Sequence, residues 1–518
     1  MQKPRLRWKR WTYKLFHRRV MVILLLLLQV VLMVHMHFVS ISAFRWMYTA
    51  SILLSVVSLL FIITRQKGSV YKLPWVMLIA VMPTFGGLLF LFIHGQASSR
   101  RVTKRLREVD ELLLPYLVQE EAVSERYVRE MPAESQRSRY LALYGYPIYS
   151  AEDTIYLPSG EAMFAQLCAE LRKAEKFIFM EYFIVAEGEM WGEIHDILRE
   201  KVAAGVEVKL IYDDMGSFLR QPYRYDRDLC AEGIDTILFN PFRPVVSALQ
   251  NNRDHRKITV IDGRVAFTGG VNIGDEYINR IERCGHWNDV SLMVTGGAVR
   301  SFTAMFLEMW LCNRPAVGYS IDRYFPAAEQ PQATVCARGF IQPYADTPLD
   351  GEAIGAWVYD HILRTASNYV WIATPYLIID DALCTTLSLA AKSGVDVRIV
   401  TPGIPDKKIV FATTRSYYLP LMEAGVKIYE YTPGFLHAKV FLSDDRVSTV
   451  GTVNLDYRSL YLHFECGAWM TDTEAIPDIR AYFERLFAES RAVKIDELRK
   501  NLPRRIFGAL MQLFAPFM

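Results

Sequence analysis

A six-position pattern of chemically active residues occurs twice in the chain. The first copy, HRKITVIDGRVAFTGGVN, supplies His255, Lys257, Asp262, Gly269, Gly270 and Asn272. The second copy, HAKVFLSDDRVSTVGTVN, supplies His437, Lys439, Asp444, Gly451, Thr452 and Asn454. Both obey H-x-K-x4-D-x6-G-[GT]-x-N without a gap. A single H-x-K carries no information, but the whole pattern met twice indicates one site built from two halves.

The spacing of this pattern favours phosphodiester chemistry. In H-x-K the two side chains are i and i+2 of a strand, so they project from the same face. Neutral imidazole is a nucleophile or base near pH 7, and imidazolium is an acid. The lysine ammonium suits a phosphate oxygen, and the Gly-[Gly/Thr]-x-Asn turn brings backbone and amide donors close to it. Two copies allow one histidine to attack phosphorus while the other protonates the leaving oxygen.

Neither a metal nor a cofactor is expected for this chemistry, because no carboxylate cluster of the two-metal type adjoins the motifs. Asp262 and Asp444 belong to the motif but stand in IDG and SDD, where a turn between strands is expected. A structural role and a role in orienting the site are both open for them.

The elements around the motifs also repeat. In the first half we predict a strand over 176–184, a helix over 190–204 and a strand over 206–212. In the second half the same order falls at 369–373, 381–392 and 395–401, and GVEVKLIYD resembles GVDVRIVTP. Strand–helix–strand alternation predicts an α/β fold with right-handed crossovers and largely parallel sheets. Two such halves suggest a pseudo-twofold with the site at the seam.

Length and composition bound the class of protein. The chain has 518 residues, of which 52% are hydrophobic, and a net charge of +3. These values exclude wholesale disorder and argue against a globally basic nucleic-acid binder. The seven cysteines are widely spaced and form no CxxC pair, so a zinc ribbon and a disulfide framework are not expected.

Apolar segments near the N-terminus predict a membrane region over 20–94, after a basic tail over 1–19. Segments 20–39, 46–64 and 73–93 are each long enough to cross a bilayer. Pro74 and Pro83 make a kinked or re-entrant path plausible for the last of them. The basic residues at 100–107 favour the cytoplasmic face for the rest of the chain, so we expect a multi-pass cell-membrane protein.

The remainder divides into four predicted parts. A helical connector covers 95–144, and two α/β domains cover 145–330 and 331–500. Residues 501–518 join Arg504 and Arg505 to an apolar stretch. This last segment is either an interfacial helix on anionic lipid or a helix packed on the catalytic core.

The repeated pattern resembles the HKD motifs of the phospholipase D superfamily. The longer phrases RDHRKITVIDGRVAFTGGVNIGDEY and LHAKVFLSDDRVSTVGTVNLDYRSLYLHFE are similar to those of bacterial cardiolipin synthases. The resemblance covers roughly residues 46–518. It implies duplicated phospholipase D-like domains, with mixed sheets flanked by helices, preceded by transmembrane helices. It also implies that two phosphatidylglycerols are joined into cardiolipin through a phosphatidyl-histidine, with release of glycerol.

The resemblance also assigns roles to residues. It makes His255 the nucleophile and His437 the acid and base, although the near symmetry of the two copies leaves the reverse open. Phosphate binding or support falls to two lysines, two turn residues, two amides and three carboxylates: Lys257, Lys439, Gly270, Thr452, Asn272, Asn454, Glu181, Glu276 and Glu465. Structural ion pairs are the alternative for the carboxylates. His463 stands where the family phrase usually has Asn.

Other activities remain open at this point. A membrane-bound hydrolase would use water as the acceptor, and a phosphatidylserine-type transferase would use another alcohol. A nuclease would need a basic groove with stacking aromatics, whereas the residues around the motifs mix acids and bases. A non-enzymatic scaffold is opposed by two intact motifs. We expect phosphatidylglycerol and membrane lipid as partners and no nucleic acid, and a homo-oligomer stays open.

Overall fold

The structure is a computed structural model that describes residues 41–64, 69–94, 97–151, 154–242, 248–314, 320–326, 338–500 and 502–517. The chain forms two compact units. One comprises residues 1–101 with 242–252, and the other comprises 102–241 with 253–518. The basic tail over 1–19 and the predicted segment 20–39 lie outside the described residues.

Helices make up the described part of the first unit that precedes the connector: α1 (Ile41–Thr64), α2 (Ser69–Val81) and α3 (Pro83–His94). The predicted segment 46–64 lies within α1. The predicted segment 73–93 is not one helix, because Pro83 has no N–H to continue the hydrogen-bond ladder and the chain restarts there as α3. Within the described residues, no helix combines the length and the apolar character that crossing a membrane requires.

The connector and the second unit hold the other helices. Their bounds are α4 (Ala97–Leu113), α5 (Glu121–Glu130), α6 (Pro132–Leu143), α7 (Gly160–Leu171), α8 (Glu189–Ala203), α9 (Tyr225–Ala231), α10 (Val299–Asn313), α11 (Ile354–Thr365), α12 (Asp381–Lys392), α13 (Lys408–Ser416), α14 (Tyr418–Glu423), α15 (Tyr457–Tyr461), α16 (Ala475–Ala488), α17 (Ile495–Arg499) and α18 (Leu502–Gln512). The helices predicted at 190–204 and 381–392 are confirmed as α8 and α12.

The strands, in chain order, are β1 (Tyr149–Ser150), β2 (Thr154–Leu157), β3 (Phe177–Tyr182), β4 (Glu207–Asp213), β5 (Asp235–Phe239), β6 (Arg253–Asp254), β7 (Lys257–Ile261), β8 (Val265–Gly269), β9 (His286–Asn288), β10 (Ser291–Thr295), β11 (Phe340–Asp346), β12 (Tyr369–Ala373), β13 (Leu377–Ile378), β14 (Asp396–Pro402), β15 (Lys427–Tyr431), β16 (Gly434–Leu436), β17 (Val440–Ser443), β18 (Val447–Gly451), β19 (Leu455–Asp456), β20 (His463–Thr471) and β21 (Ser490–Ala492). The four predicted strands correspond to β3, β4, β12 and β14.

Two mixed sheets carry the two motifs. The first has the order β2-β10-β8-β7-β3-β4-β5, and the second β1-β11-β20-β18-β17-β12-β14-β15-β21, with β6 beside β20. Parallel pairing within these two main paths is confined to β3-β4-β5 and β12-β14-β15, and the other neighbours are antiparallel. The prediction of largely parallel sheets is therefore wrong, because each motif is an antiparallel hairpin added to a short parallel core.

The alternation of side chains along β3 shows how each sheet is covered. Phe177 and Phe179 face a core shared with the second half of the chain, whereas Ile178 and Met180 face a core built with helices α7 and α8. This is the period of two that a strand buried on both faces requires. The shared core includes buried residues of the motif strands of both halves, so the two motifs meet across an apolar seam.

Candidate active site

Each motif histidine is held by the opposite half of the chain. Short β6 pairs with the start of β20, and the His255 N–H donates to the Phe464 carbonyl at 2.9 Å. Short β16 pairs in the same way with β9, and the His437 N–H donates to the Asn288 carbonyl at 2.7 Å. This exchange brings both histidines to the seam between the halves.

A carboxylate from the opposite half also binds each imidazole. His255 Nδ1 lies 2.9 Å from Glu465 Oε2, and His437 Nδ1 lies 2.6 Å from Asp289 Oδ2. Both carboxylates are buried. Because an ionised carboxylate only accepts, these contacts favour the proton on Nδ1 and leave the Nε2 lone pair for chemistry, although Lys439 Nζ also lies 2.9 Å from His437 Nδ1.

Asp289 is a site residue that the sequence analysis missed. In the sheet register Ser291 faces Gly269 and Gly467 faces Gly451. Asp289 and Glu465 each stand two residues before the partner of the motif glycine, so they are equivalent positions of the repeat. Aligning the strand that follows each motif would have found Asp289 once Glu465 had been chosen.

Burial and nearby cations keep both rings neutral near pH 7. Burial lowers the pKa of His437 to about 4; the Lys439 ammonium acts in the same direction and the Asp289 carboxylate opposes it. Burial, followed by Lys257 and Lys439, lowers the pKa of His255 well below its ordinary value. An anion entering among these groups opposes the lysines and favours the protonated rings.

The two motif lysines lie beside the histidines as predicted from the i, i+2 spacing. Lys257 Nζ donates to the His255 carbonyl at 2.5 Å, and Lys439 Nζ donates to the His437 carbonyl. Burial lowers the pKa of Lys257 to about 8 and that of Lys439 to about 7. The positive charges of these two buried lysines are not fully balanced by nearby carboxylates, which favours the binding of an anion. A bound phosphate oxygen would raise both lysine pKa values and stabilise the ammonium forms.

The two motif turns differ at one position, which is Gly270 in the first and Thr452 in the second. Each of these residues suits the carboxylate beside it, Asp289 or Glu465. A Cβ on Gly270 would lie 2.0 Å from Asp289 Oδ1, so only glycine leaves room for that carboxylate. At the equivalent position Thr452 donates its hydroxyl to Glu465, which also accepts from the Ser459 hydroxyl. The turn thus supports the carboxylate in both halves, by space in one and by a hydrogen bond in the other.

The motif asparagines have unequal surroundings. Asn272 accepts from the Ile184 N–H at 3.0 Å and donates to the Tyr277 hydroxyl at 2.7 Å. It therefore braces the chain after β3, rather than presenting a free amide as predicted. Asn454 is buried, and its Oδ1 has no hydrogen-bond partner among the described residues.

The motif aspartates lie away from the histidines. Asp262 accepts from the backbone N–H groups of Glu175, Lys176 and Phe177 at 2.7–2.8 Å. It follows β7, five residues beyond Lys257, which is about 16 Å along an extended strand. This placement favours the structural role over the orienting one for Asp262.

Asp444 repeats this arrangement in the second half. It accepts from the N–H groups of Ser367, Asn368 and Tyr369 at 2.7–2.9 Å. Both aspartates have φ near +54° or +53°, as a tight turn requires. Each one fastens the beginning of the neighbouring parallel strand to the motif hairpin, which favours the structural role for Asp444 as well.

Glu181 and Glu276 do not reach the histidines. Glu181 is fully buried behind the site, where burial and the neighbouring Asp254 carboxyl raise its pKa well above the ordinary value, and Arg256 opposes them. Glu276 forms ion pairs with Arg220 at 2.5 Å and Arg283 at 3.1 Å. Neither carboxylate hydrogen-bonds a motif histidine or lysine among the described residues, and their support of the phosphate stays a prediction.

His463 lies close to the first motif. Its ring centroid is 5.5 Å from that of His255, and its Nδ1 is 3.5 Å from Glu465 Oε1. Within the described part of the chain, His255, His463 and Glu465 are the group whose possible metal-ligand atoms lie within 4.8 Å of one another. Lys257 and Lys439 place positive charge beside this group, so the surroundings suit an anion better than a cation.

Comparison with known proteins gives a consistent result. The family profile described as cardiolipin synthase, PLD-like domain matches residues 167–310 and 359–487. A protein of uncharacterised function from Streptococcus mutans is 42% identical over 467 residues, covering 89% of this chain and 99% of that protein. A cardiolipin synthase from Geobacillus kaustophilus is 34% identical over 457 residues, covering 88% of this chain and 90% of that protein.

A solved structure shares the fold. Phosphatidylserine synthase from Haemophilus influenzae superimposes with a TM-score of 0.56 at 15% sequence identity, and the match covers 74% of this chain and 100% of that one. At this identity the likeness shows the architecture alone. Two phospholipase D-like domains, each with one motif, are thus supported by both sequence and structure.

Proposed function

The chain belongs to the cardiolipin synthase family of proteins with phospholipase D-like domains, and from that premise we propose that it joins two phosphatidylglycerols into cardiolipin and releases glycerol. The observation that carries the proposal is the crossed arrangement of the site. Each motif histidine is held by a carboxylate of the other half, and two buried lysines lie beside the pair. This arrangement provides two activated imidazoles and an anion site.

In the first step Nε2 of one histidine attacks the phosphorus of a phosphatidylglycerol. A P–N bond forms, the bond from phosphorus to the headgroup glycerol oxygen breaks, and the other histidine donates a proton to that oxygen. Lys257 and Lys439 neutralise the charge that builds up on the phosphate oxygens. The phosphodiester itself raises the pKa of the proton-donating histidine, because its negative charge opposes the two lysines.

In the second step a glycerol hydroxyl of another phosphatidylglycerol attacks the phosphatidyl-histidine. The histidine that gave up its proton takes the hydroxyl proton, the P–N bond breaks, and cardiolipin leaves. Each histidine returns to its starting form, so the cycle balances without another reactant. Water attacking in place of the hydroxyl would give phosphatidic acid, and exclusion of water decides between transfer and hydrolysis.

The surroundings of the two carboxylates favour different roles for the two histidines. Glu465 accepts hydrogen bonds from the Thr452 and Ser459 hydroxyl groups as well as from its histidine, so its negative charge is shared. Asp289 makes the shorter contact, 2.6 Å, with His437. A less shared carboxylate stabilises an imidazolium better, so His437 is assigned as the acid and base.

This assignment makes His255 the nucleophile.

We place the protein at the cell membrane with the catalytic unit on the cytoplasmic face, since the apolar segments over 20–94 and the basic residues at 1–19 and 100–107 support that arrangement. A lipid substrate is consistent with this location.

The test is an assay of the full chain purified in detergent and supplied with phosphatidylglycerol alone, in the presence of a metal chelator. Cardiolipin with an equimolar amount of glycerol, identified by mass spectrometry, is the expected result. Phosphatidic acid without cardiolipin would replace the transferase proposal with a hydrolase. No product of either kind, with the folded His437→Ala variant behaving identically, would overturn the proposed function.

A further inference from the structure

A segment next to the site exposes several large apolar side chains to solvent. After β4, residues 215–224 form a loop, here called the apolar loop. Phe218, Leu219 and Tyr223 are 53%, 89% and 92% exposed. Single exposed apolar residues are ordinary, but three within six positions form a patch that requires an explanation.

The base of the apolar loop is firmly held, so the exposure is not that of a loose segment. Asp213 Oδ1 accepts from the Met215 N–H at 2.8 Å, and the Ser217 hydroxyl accepts from the Val185 N–H at 3.0 Å. Arg220 is bound to Glu276 at 2.5 Å. Glu276, which the sequence analysis assigned to the phosphate, instead fixes one side of this loop.

Leu219 is the most informative residue of the loop. Its φ is +64°, in the left-handed region where glycine is favoured and leucine is uncommon. The side chain gains nothing from packing, because it is almost wholly exposed. Leu219 thus has an unfavourable backbone conformation and an almost fully exposed side chain. This combination indicates that the side chain contacts a surface that is not part of the folded chain.

The apolar loop adjoins the first motif. A Cβ on Gly216 would lie 2.0 Å from the Phe183 carbonyl oxygen, so loop and strand end are in close contact. The Phe183 ring in turn lies 5.1 Å from the His255 ring, centroid to centroid. Whatever surface the loop contacts is thereby brought beside the reacting group.

The second half repeats the arrangement at the equivalent strand end. After β14, Ile404 and Ile409 are exposed, with exposed Lys407 and Lys408 between them. The Ile404 N–H donates to the Gly434 carbonyl at 3.2 Å, three residues before His437. Both parallel cores therefore present apolar side chains at their carboxyl ends, where the site also lies.

We propose that the apolar loop docks the catalytic unit on an anionic phospholipid bilayer, with Phe218, Leu219 and Tyr223 entering the lipid interface. Charge selects this occupant: Arg220 is bound to Glu276, but exposed Arg224 forms no ion pair among the described residues, and residues 215–224 contain no acidic residue. Exposed apolar side chains beside an arginine suit the boundary between headgroups and acyl chains. The inference rests on the proposed function, because a lipid substrate must pass from that boundary to His255.

The test compares two forms of one substrate with the full chain reconstituted in phosphatidylcholine vesicles. Long-chain phosphatidylglycerol is supplied within the bilayer, and dihexanoyl phosphatidylglycerol is supplied dissolved in water. The variant Phe218→Ser with Leu219→Ser is expected to lose about tenfold or more in rate on the bilayer substrate, because two apolar side chains no longer leave water. Its rate on the dissolved substrate is expected to stay within about twofold of wild type.

Two further variants sharpen this comparison. Leu219→Gly removes the side chain and suits the left-handed backbone, so it retains the fold and shows a selective loss in the same direction. Leu389→Ser is the matched control: Leu389 is 59% exposed but lies near the end of α12 that leads to the amino end of β14, at the opposite edge of the sheet. Wild-type rates on both substrates are expected for this control.

A readout independent of turnover separates this inference from the proposed function. Hydrogen exchange of the peptide covering 215–224 is expected to slow when phosphatidylglycerol is added to the phosphatidylcholine vesicles, while the peptide containing Leu389 does not change. Unchanged exchange, or equal losses on both substrates in the double variant, would overturn the docking proposal. Protection of the loop without any cardiolipin from wild type would uphold docking and reject the proposed reaction.

Discussion

Asp289 Oδ2 lies 2.6 Å from Nδ1 of His437, although the two residues belong to different halves of the duplicated fold. Glu465 and His255 form the reciprocal pair at 2.9 Å. Neither half on its own therefore contains a motif histidine together with the carboxylate that binds it. The pairing of β6 with β20 and of β16 with β9 makes the exchange possible, because these short strands carry each histidine to the other half.

Removing the charge of Asp289 tests this crossed pairing. Asp289→Asn keeps the size of the side chain but removes the negative charge that stabilises protonated His437, so kcat is expected to fall by about 10²-fold or more. Steady-state kinetics on phosphatidylglycerol measure the change. Glu193→Gln, at a surface ion pair with Arg172, is the control and should retain wild-type kcat. A kcat near wild type for Asp289→Asn would contradict the role of the pair.

Gly270 offers a second test of the same contact. In Gly270→Ala the new methyl group would meet Asp289 Oδ1 at 2.0 Å, so the carboxylate must move away from His437. The loss in kcat should match that of Asp289→Asn. The double variant should lose no more than either single variant, because both changes remove one interaction. Multiplicative losses would show that Gly270 acts by another route.

The sequence predicted the parts of the site that lie within one repeat. The spacing in H-x-K placed Lys257 beside His255, and the strand and helix order anticipated β3, α8 and β4. The resemblance also pointed to Glu465. The sequence did not reveal contacts between the halves, since loops of different length separate Asp289 and Glu465 from their motifs. The position of Glu181 was not evident for the same reason, because its burial behind the site is a property of the assembled sheets.

The motif aspartates are expected to affect stability and not chemistry. Asp262→Asn leaves backbone N–H groups of 175–177 with a weaker acceptor, and we expect a loss of about 1–3 kcal/mol in the free energy of unfolding. Asp444→Asn should behave alike. Thermal or denaturant unfolding measures the loss, and kcat per folded molecule should remain at the wild-type value. A large fall in kcat without a change in stability would favour a role in orienting the site instead.

The depressed lysine pKa values predict that anion binding weakens as pH rises. Lys439 has a pKa of about 7 and Lys257 of about 8, and a bound dianion raises both. Binding therefore takes up protons once the pH exceeds these values. Sulfate, whose charge is constant, should raise the thermal midpoint more at about pH 6 than at about pH 9.

The same lysine pKa shifts determine the direction in which folding stability changes with pH when no anion is bound. Below about pH 7 the folded state carries a buried charged Lys439, which is unfavourable, and this penalty is relieved as the pH rises from about 7 toward the ordinary lysine value of 10.5. Lys439→Gln is the control for both effects and should reduce the pH dependence of the sulfate shift. A sulfate shift that is the same at both pH values in wild type would contradict the anion site.

In the proposed reaction, two histidines from different halves carry out a double displacement through a phosphatidyl-histidine. The most direct measurement is rapid acid-free quenching of the wild-type enzyme during turnover of phosphatidylglycerol, followed by peptide mass spectrometry of the histidine adduct. We predict a phosphatidyl group on His255 in the wild-type enzyme, and neither adduct nor turnover in His255→Ala. Turnover with no adduct on either histidine, or substantial residual transfer in His255→Ala and His437→Ala, would contradict the account.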